Sequence, residues 1–267
     1  MKNYCQSKSF LLSLSLSLFL LLLTLTFTGG CSSSAPKGKT DAEVLYQEAV
    51  KNMQKERYLL ATEKLNTLKS QHPYSYYATH AELLLADILF LQENYIESAA
   101  AYLSFKDLHP KHEKIAYVIW KTAESYYKQL PSTYDRDLSP AKEALKYYND
   151  ILVRFPNSPY DKETRERIQS IEEMLKQQEI YIADFYFKTD IFDSARFRYI
   201  DIISKYNDQK VQDHAMLRIV KSSLNLKEYS DCGKYADDYM EKVSSAYKSE
   251  IVSLKEQCSQ KEQKTKQ

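Results

Sequence analysis

The chain has 267 residues, of which 43% are hydrophobic, and 37 Lys and Arg stand against 36 Asp and Glu. A net charge of +1 with both signs interspersed excludes a basic nucleic-acid footprint, so no nucleic-acid partner is expected. Four glycines, Gly29, Gly30, Gly38 and Gly233, leave too few turn residues for a hairpin-rich β fold.

The first element is a leader. Lys2 and Lys8 make a basic start, Phe10 to Phe27 carries no charge, and the stretch closes on Thr28-Gly29-Gly30-Cys31. This reads as a bacterial lipoprotein signal at residues 1–30: two small residues admit a peptidase, and the Cys31 thiol accepts a diacylglycerol. An uncleaved transmembrane helix and an ordinary secretory signal are the competing readings, but the interspersed Ser and Thr and the small-residue terminus suit a processed segment. Cys31 is therefore the expected lipidation site and the first residue of the mature protein. The usual triple acylation gives stable anchoring, which one chain alone does not. Ser32 in place of an Asp points to the outer membrane, periplasmic face. Residues 31–40, with Pro36 and Gly38 and no large apolar side chain after the cysteine, read as a flexible tether.

Once the leader is removed, about 235 residues can bury a substantial core. Pro73, Pro110, Pro131, Pro140, Pro156 and Pro159 punctuate apolar segments of helical period, which predicts an all-α fold. An internal repeat runs through them. Ala49, Tyr58, Ala61, Leu65 and Pro73 recur thirty-seven residues later as Ala86, Tyr95, Ser98, Tyr102 and Pro110. Ala183, Phe192, Ala195, Tyr199 and Asn207 keep the spacing, and so do Val220, Tyr229, Cys232 and Ala236. A degenerate copy lies between, from Ala123 to Ala144, Tyr148 and Pro156, with nine extra residues between its halves.

The pattern resembles the tetratricopeptide repeat, in which small residues on helices A and B let the two backbones approach. Aromatic residues plug the hinge and the next repeat, and a proline stops helix B. The resemblance implies a right-handed superhelical solenoid of five helix pairs with a groove lined by helices A. Two departures divide it. Pro131 to Ser139 makes an excursion within the third repeat, of the kind that is often functional. Tyr160 to Lys188 has no Pro or Gly and reads as one helix of roughly 43 Å. The expected domains are an N-terminal lobe of three repeats (41–159), the long helix with repeats four and five (160–244), and a C-terminal capping helix with a disordered tail (245–267).

With its anchor, five repeats, His72-Pro73-Tyr74-Ser75-Tyr76-Tyr77, Asp135-Arg136-Asp137 and Phe155-Pro156-Asn157-Ser158-Pro159-Tyr160, the chain resembles the BamD family of lipoproteins of the outer-membrane β-barrel assembly machine. The resemblance implies a non-catalytic scaffold and receptor. Its partners would be the POTRA domains of the barrel subunit BamA, other lipoproteins of the machine, and the C-terminal targeting segments of unfolded outer-membrane β-barrel proteins. A tetratricopeptide lipoprotein organising peptidoglycan enzymes is the alternative, and a hydrolase with an unrecognised site is a third reading.

No catalytic constellation, cofactor motif or metal site is expected. His109 and His112 form the one close histidine pair and read as solvated turn residues; no Gly-x-Ser-x-Gly and no phosphate loop occurs. By the repeat's own rule the groove comprises Tyr46, Val50, Met53 and Gln54, then Leu83, Asp87, Phe90 and Leu91, then Trp120, Glu124, Tyr127 and Lys128. Tyr46, Met53, Phe90, Trp120, Tyr127 and Lys128 are the candidate peptide-binding residues, and Lys121 or Lys128 suits a terminal Phe carboxylate. Packing against the neighbouring repeat is the other reading of each. Family alignment of Phe192, Ala195 and Tyr199 puts Arg198 at the arginine that meets an acidic residue of BamA, with Tyr186 and Lys188 beside it. The other reading is a solvated arginine, whose surface pair contributes about 0–1 kcal/mol. Cys5 leaves with the leader. Cys232 and Cys258 lie equally far from a turn near Ser244-Ser245, which predicts a disulfide clasping the terminal helix; ordinary packing of Cys232 is the other reading.

Overall fold

The computed structural model describes residues 40–267, so the leader, the rest of the tether and the expected lipidation site at Cys31 lie outside the described residues. Among these residues are eleven α-helices and no strand. In chain order they are α1 (Asp41–Gln54), α2 (Tyr58–Gln71), α3 (Tyr76–Leu91), α4 (Tyr95–Leu108), α5 (Ile115–Tyr127) and α6 (Ser139–Arg154). There follow α7 (Asp161–Lys188), α8 (Phe192–Lys205), α9 (Gln209–Asn225), α10 (Tyr229–Met240) and α11 (Ser245–Thr265). None is long and apolar enough to cross a membrane.

The helix ends follow from local chemistry. Thr40 opens α1, its hydroxyl accepting the Glu43 N–H at 3.2 Å, and Asp41 and Glu43 in the first turn suit the helix dipole. Helices α2, α4 and α6 stop at His72, His109 and Phe155, each directly before a proline that cannot continue the ladder. Pro140 acts at the other end, within the first turn of α6, where a missing N–H costs nothing. The turns between paired helices are closed by left-handed residues that are not glycine: Glu56, Glu93, Asp190 and Lys227, with φ of 57°, 63°, 60° and 63°. At each, two backbone N–H groups turn back onto the preceding helix, as Glu93 N to Phe90 O and Asn94 N to Leu89 O do at 3.0 Å.

The described chain forms two compact units, one ending at Ala81 and the other running from Glu82 to Gln267. In the first, α1 and α2 pack with Ala49 and Ala61 wholly buried. In the second, the small positions Ala86, Ser98, Ala123, Ala144, Ala183, Ala195, Val220 and Cys232 are all at 0% exposure. Their size is what the close approach of paired helices needs, and the tetratricopeptide fold follows from it. The division falls inside α3 and not at residue 160. The physical reason lies in α7, a 28-residue helix shared by two cores. Its first half sends Ile168, Ile171, Met174 and Leu175 into the core of α3–α6, while Ala183, Tyr186 and Phe187 join the core of α8–α11.

The excursion in the third repeat folds onto that same helix. Gln178 donates to the Arg136 carbonyl at 2.8 Å, and the Tyr134 and Tyr181 rings meet edge to face at 5.9 Å. At the far end Cys232 of α10 and Cys258 of α11 are joined, with Cα atoms 6.0 Å apart. Helix α11 continues to Thr265, so the segment expected as a disordered tail is helical almost to its end. Exposed Lys, Glu and Gln are good helix formers, and charge alone does not make a tail.

Candidate functional site

Three of the expected groove positions face inward. Leu83 is 3% exposed and Glu124 is 4% exposed, and Asp87 is held between two phenols. The carboxylates explain the arrangement. Asp87 accepts Tyr102 Oη at 2.5 Å and Tyr117 Oη at 2.8 Å; Asp184 accepts Tyr199 Oη at 2.5 Å and His214 Nε2 at 2.8 Å. Glu124 accepts Tyr148 Oη and, at 3.2 Å, Arg167 Nε. Each acid follows the small residue of helix A, takes the tyrosine of its own helix B, and takes a second donor from a later helix. Burial pushes the Tyr102, Tyr117, Tyr148 and Tyr199 phenols well up, reinforced by these carboxylates. The rings of these tyrosines meet the next repeat, Tyr102 at Tyr117 and Tyr199 at His214, while their hydroxyls return to their own. The signal is present in the sequence, since Asp87–Tyr102 and Asp184–Tyr199 share one separation.

Above Asp87 lies an aromatic face. Lys121 of α5 holds its ammonium 3.7 Å from the centre of the Phe90 ring, 5.1 Å from Trp120 and 6.0 Å from Tyr117. Trp120 stacks on Tyr160 at 4.7 Å with the ring planes 14° apart. Burial drives the Lys121 pKa below its ordinary value despite the pull of Asp87 and Glu124, and among the described residues no carboxylate comes within ion-pair distance of it. The Trp120 Nε1–H is buried and meets no acceptor. A partly desolvated cation beside aromatic faces can receive an anion carried by an apolar segment.

The remaining expected groove residues are distributed. Tyr127 lies beneath Arg167, whose guanidinium is 4.5 Å from its ring centre, and Arg167 is bound to Glu124 and Glu163. Lys128 caps the C-terminus of α5 and is exposed. Tyr46 and Met53 belong to the first unit, where both are half-buried and Tyr46 lies 5.4 Å from Tyr77. Lys121 and Tyr160 complete the face; the repeat's rule reaches neither, because it counts from helix A along one stripe.

A second polar concavity lies on α7–α8. Tyr186, Asp193, Ser194, Phe197, Arg198 and Asp201 line a pocket of about 340 Å³. The Arg198 guanidinium sits 5.2 Å from the Tyr186 ring centre and pairs with no carboxylate among the described residues, while Phe197 beside it is 75% exposed. Tyr186 and Arg198 are thus brought together; Lys188, exposed at the end of α7, is not among the lining residues. His109 differs from expectation: it binds Glu82 at 2.8 Å and is not a purely solvated turn residue, and His214 within α9 binds Asp184 at the same distance. Among the described residues no three potential metal ligands cluster.

The family described as YfiO, outer membrane lipoprotein, matches residues 38–231. The chain is similar to the outer membrane protein assembly factor BamD of Rickettsia prowazekii (strain Madrid E), 30% identical over 209 residues, which is 78% of this chain and 83% of that protein. It is also similar to the factor of the same name from Vibrio cholerae serotype O1, 29% identical over 190 residues, 67% of this chain and 78% of that one. The matched span holds Phe90, Lys121, Trp120 and Arg198 and ends one residue before Cys232, so α11 and its bond to α10 lie beyond it.

Proposed function

We propose, from the premise that this chain belongs to the YfiO family of outer membrane lipoproteins, that it is a non-catalytic scaffold and receptor in outer-membrane protein assembly. Acylated Cys31 anchors it to the periplasmic face of the outer membrane. The Lys121 face receives the C-terminal segment of an unfolded β-barrel protein, and the Arg198 pocket docks on a POTRA domain of the barrel subunit, BamA, beside other lipoproteins of the machine. The observation that carries the reading is the half-buried ammonium of Lys121 among Phe90, Tyr117 and Trp120 with no direct counter-ion. A barrel strand ending in an aromatic residue supplies a carboxylate for that cation and a ring for those faces. Phe90 and Trp120 contact the segment, and Lys121 neutralises its terminus. Tyr127 and Lys128 extend the peptide-binding surface, Tyr46 and Met53 are candidate peptide contacts of the first unit by itself, and Tyr186 and Lys188 flank Arg198.

Fluorescence anisotropy tests the receptor half of the reading. A peptide of alternating aromatic and polar residues ending in free Phe is expected to bind about tenfold more tightly than its C-terminal amide, the scale of one charge-assisted hydrogen bond. In Lys121→Met the two peptides bind alike. An amide that binds the native chain as well as the acid does contradicts it. For the docking half, Arg198→Glu is expected to weaken capture of a POTRA-bearing barrel protein at least tenfold, and unchanged capture removes Arg198 from the interface.

A further inference from the structure

The turn between α2 and α3 differs in chemistry from the same turn elsewhere in the chain. Its first residues are His72-Pro73-Tyr74-Ser75-Tyr76-Tyr77. At the place of Tyr74 the later repeats carry Lys111, Asn157 and Asp208, and at the place of Tyr76 they carry Glu113, Pro159 and Lys210. Those side chains suit a turn that faces water. Tyr74, by contrast, is 100% exposed and Tyr76 is 68% exposed. Their backbone is fixed: Ser75 N donates to His72 O at 3.0 Å, and the Ser75 hydroxyl accepts Ala78 N at 3.1 Å. Tyr76 rests on the His80 ring at 4.2 Å and meets Tyr77 edge to face at 5.6 Å, which holds it in place while more than half of it stays exposed, and Tyr74 is presented beside it on the same rigid corner.

The position of that corner supplies the occupant. Tyr77, the next residue, is hydrogen-bonded to Glu43, which lies in the first turn of α1. The corner therefore stands at the end of the first unit where the chain enters from Cys31. Nine residues follow Cys31 up to Thr40, and whatever their conformation they span at most roughly 32 Å. Tyrosine has an apolar ring and a hydroxyl that prefers the headgroup level, which is why it concentrates at membrane–water interfaces. We infer that Tyr74 and Tyr76 seat in the interfacial layer of the bilayer that holds the Cys31 acyl chains, making the α2–α3 corner a second, non-covalent membrane contact that orients the first unit. The inference rests on the lipid-anchor reading of Cys31.

The test uses the full acylated chain reconstituted in vesicles of phosphatidylethanolamine and phosphatidylglycerol. Tyr74→Trp is compared with Val153→Trp, a position on α6 that is 79% exposed, after subtracting the signal of native Trp120. Bromine-labelled phospholipids are expected to quench the Trp at position 74 at least threefold more than the Trp at position 153, with a blue-shifted emission. Equal quenching in protein that floats with the vesicles overturns the inference, as does protection that requires a co-purified protein and not lipid. Flotation of the native chain and of Cys31→Ser judges the anchor separately. Native protein that fails to float, or a Cys31→Ser chain that still floats, overturns the anchor reading and the orientation built on it.

Discussion

Asp87 and Asp184 stand at the same place in two repeats, and each accepts a tyrosine hydroxyl at 2.5 Å. They differ in the partner that the next repeat contributes. Burial raises the Asp87 pKa, and hydrogen bonds from Tyr102 and Tyr117 with the field of Lys121 do not offset it. Burial also pushes Asp184 upward, yet the His214 and Tyr199 hydrogen bonds and the field of Arg218 outweigh it, and the net shift is downward. The repeat thus sets where a carboxylate sits, while the neighbouring repeat sets its acidity. Around Asp87 the chain keeps an incompletely compensated charge beneath an aromatic face. Around Asp184 it keeps a satisfied node beneath a clasped C-terminal end.

The largest effect expected to separate the two regions is loss of the clasp. Cys258→Ser opens a loop of 26 residues and is expected to cost about 3 kcal/mol, read as a lower unfolding midpoint. Hydrogen exchange should rise in α10 and α11 while α4–α6 keep their protection; an equal rise in α4–α6 breaks the division between the cores. Non-reducing mass spectrometry of the mature protein checks the premise, since two free thiols remove it.

Next in size is the contrast between the acids. Asp184→Asn is expected to cost about 1–2 kcal/mol at pH 7, because a depressed carboxylate pKa stabilises the fold above its unfolded value. That contribution disappears as the pH falls from the ordinary Asp value of 3.8 through the lower folded value, so the variant should have a flatter acid limb. Asp87 has the opposite sign. Its raised pKa means that ionisation at neutral pH costs stability, and Asp87→Asn should be destabilised by less than half as much. Denaturant melts between pH 3 and 7 decide, and equal losses at pH 7 erase the distinction.

The smallest effect lies in the turns, where the regions should behave alike. Glu93 and Lys227 both hold φ of 63°, and the left-handed conformation costs a residue with a side chain roughly 1–2 kcal/mol. After glycine's greater entropy loss, Glu93→Gly and Lys227→Gly should each stabilise by about 0.5–1 kcal/mol. A destabilised variant shows that a side-chain contact holds the turn.

The fold was more legible than the face. Small residues at Ala86 and Ser98 mark a helix crossing because only a small side chain fits there, so residue type alone carries the geometry. The long helix is legible in α7 for a similar reason: no Pro or Gly interrupts its apolar period. Asp87 and Glu124 are another matter. The repeat's rule puts them among the groove residues, but it cannot tell an acid aimed inward at a phenol from one aimed outward at a ligand. Glu56 and Asp190 conceal their left-handed turns because glycine is the usual mark of that conformation. Lys121 enters the site through the Phe90 ring, a contact between helices that no spacing along either one encodes.

A photocrosslinking side chain placed at position 90 in living cells shows whether the Lys121 face receives barrel proteins. Adducts with nascent outer-membrane β-barrel proteins, made through their C-terminal segments, are expected at position 90 and not at the exposed position 153. Barrel-protein adducts of equal yield at both positions, or none at position 90 in chains that still assemble barrels, would contradict that role of the face.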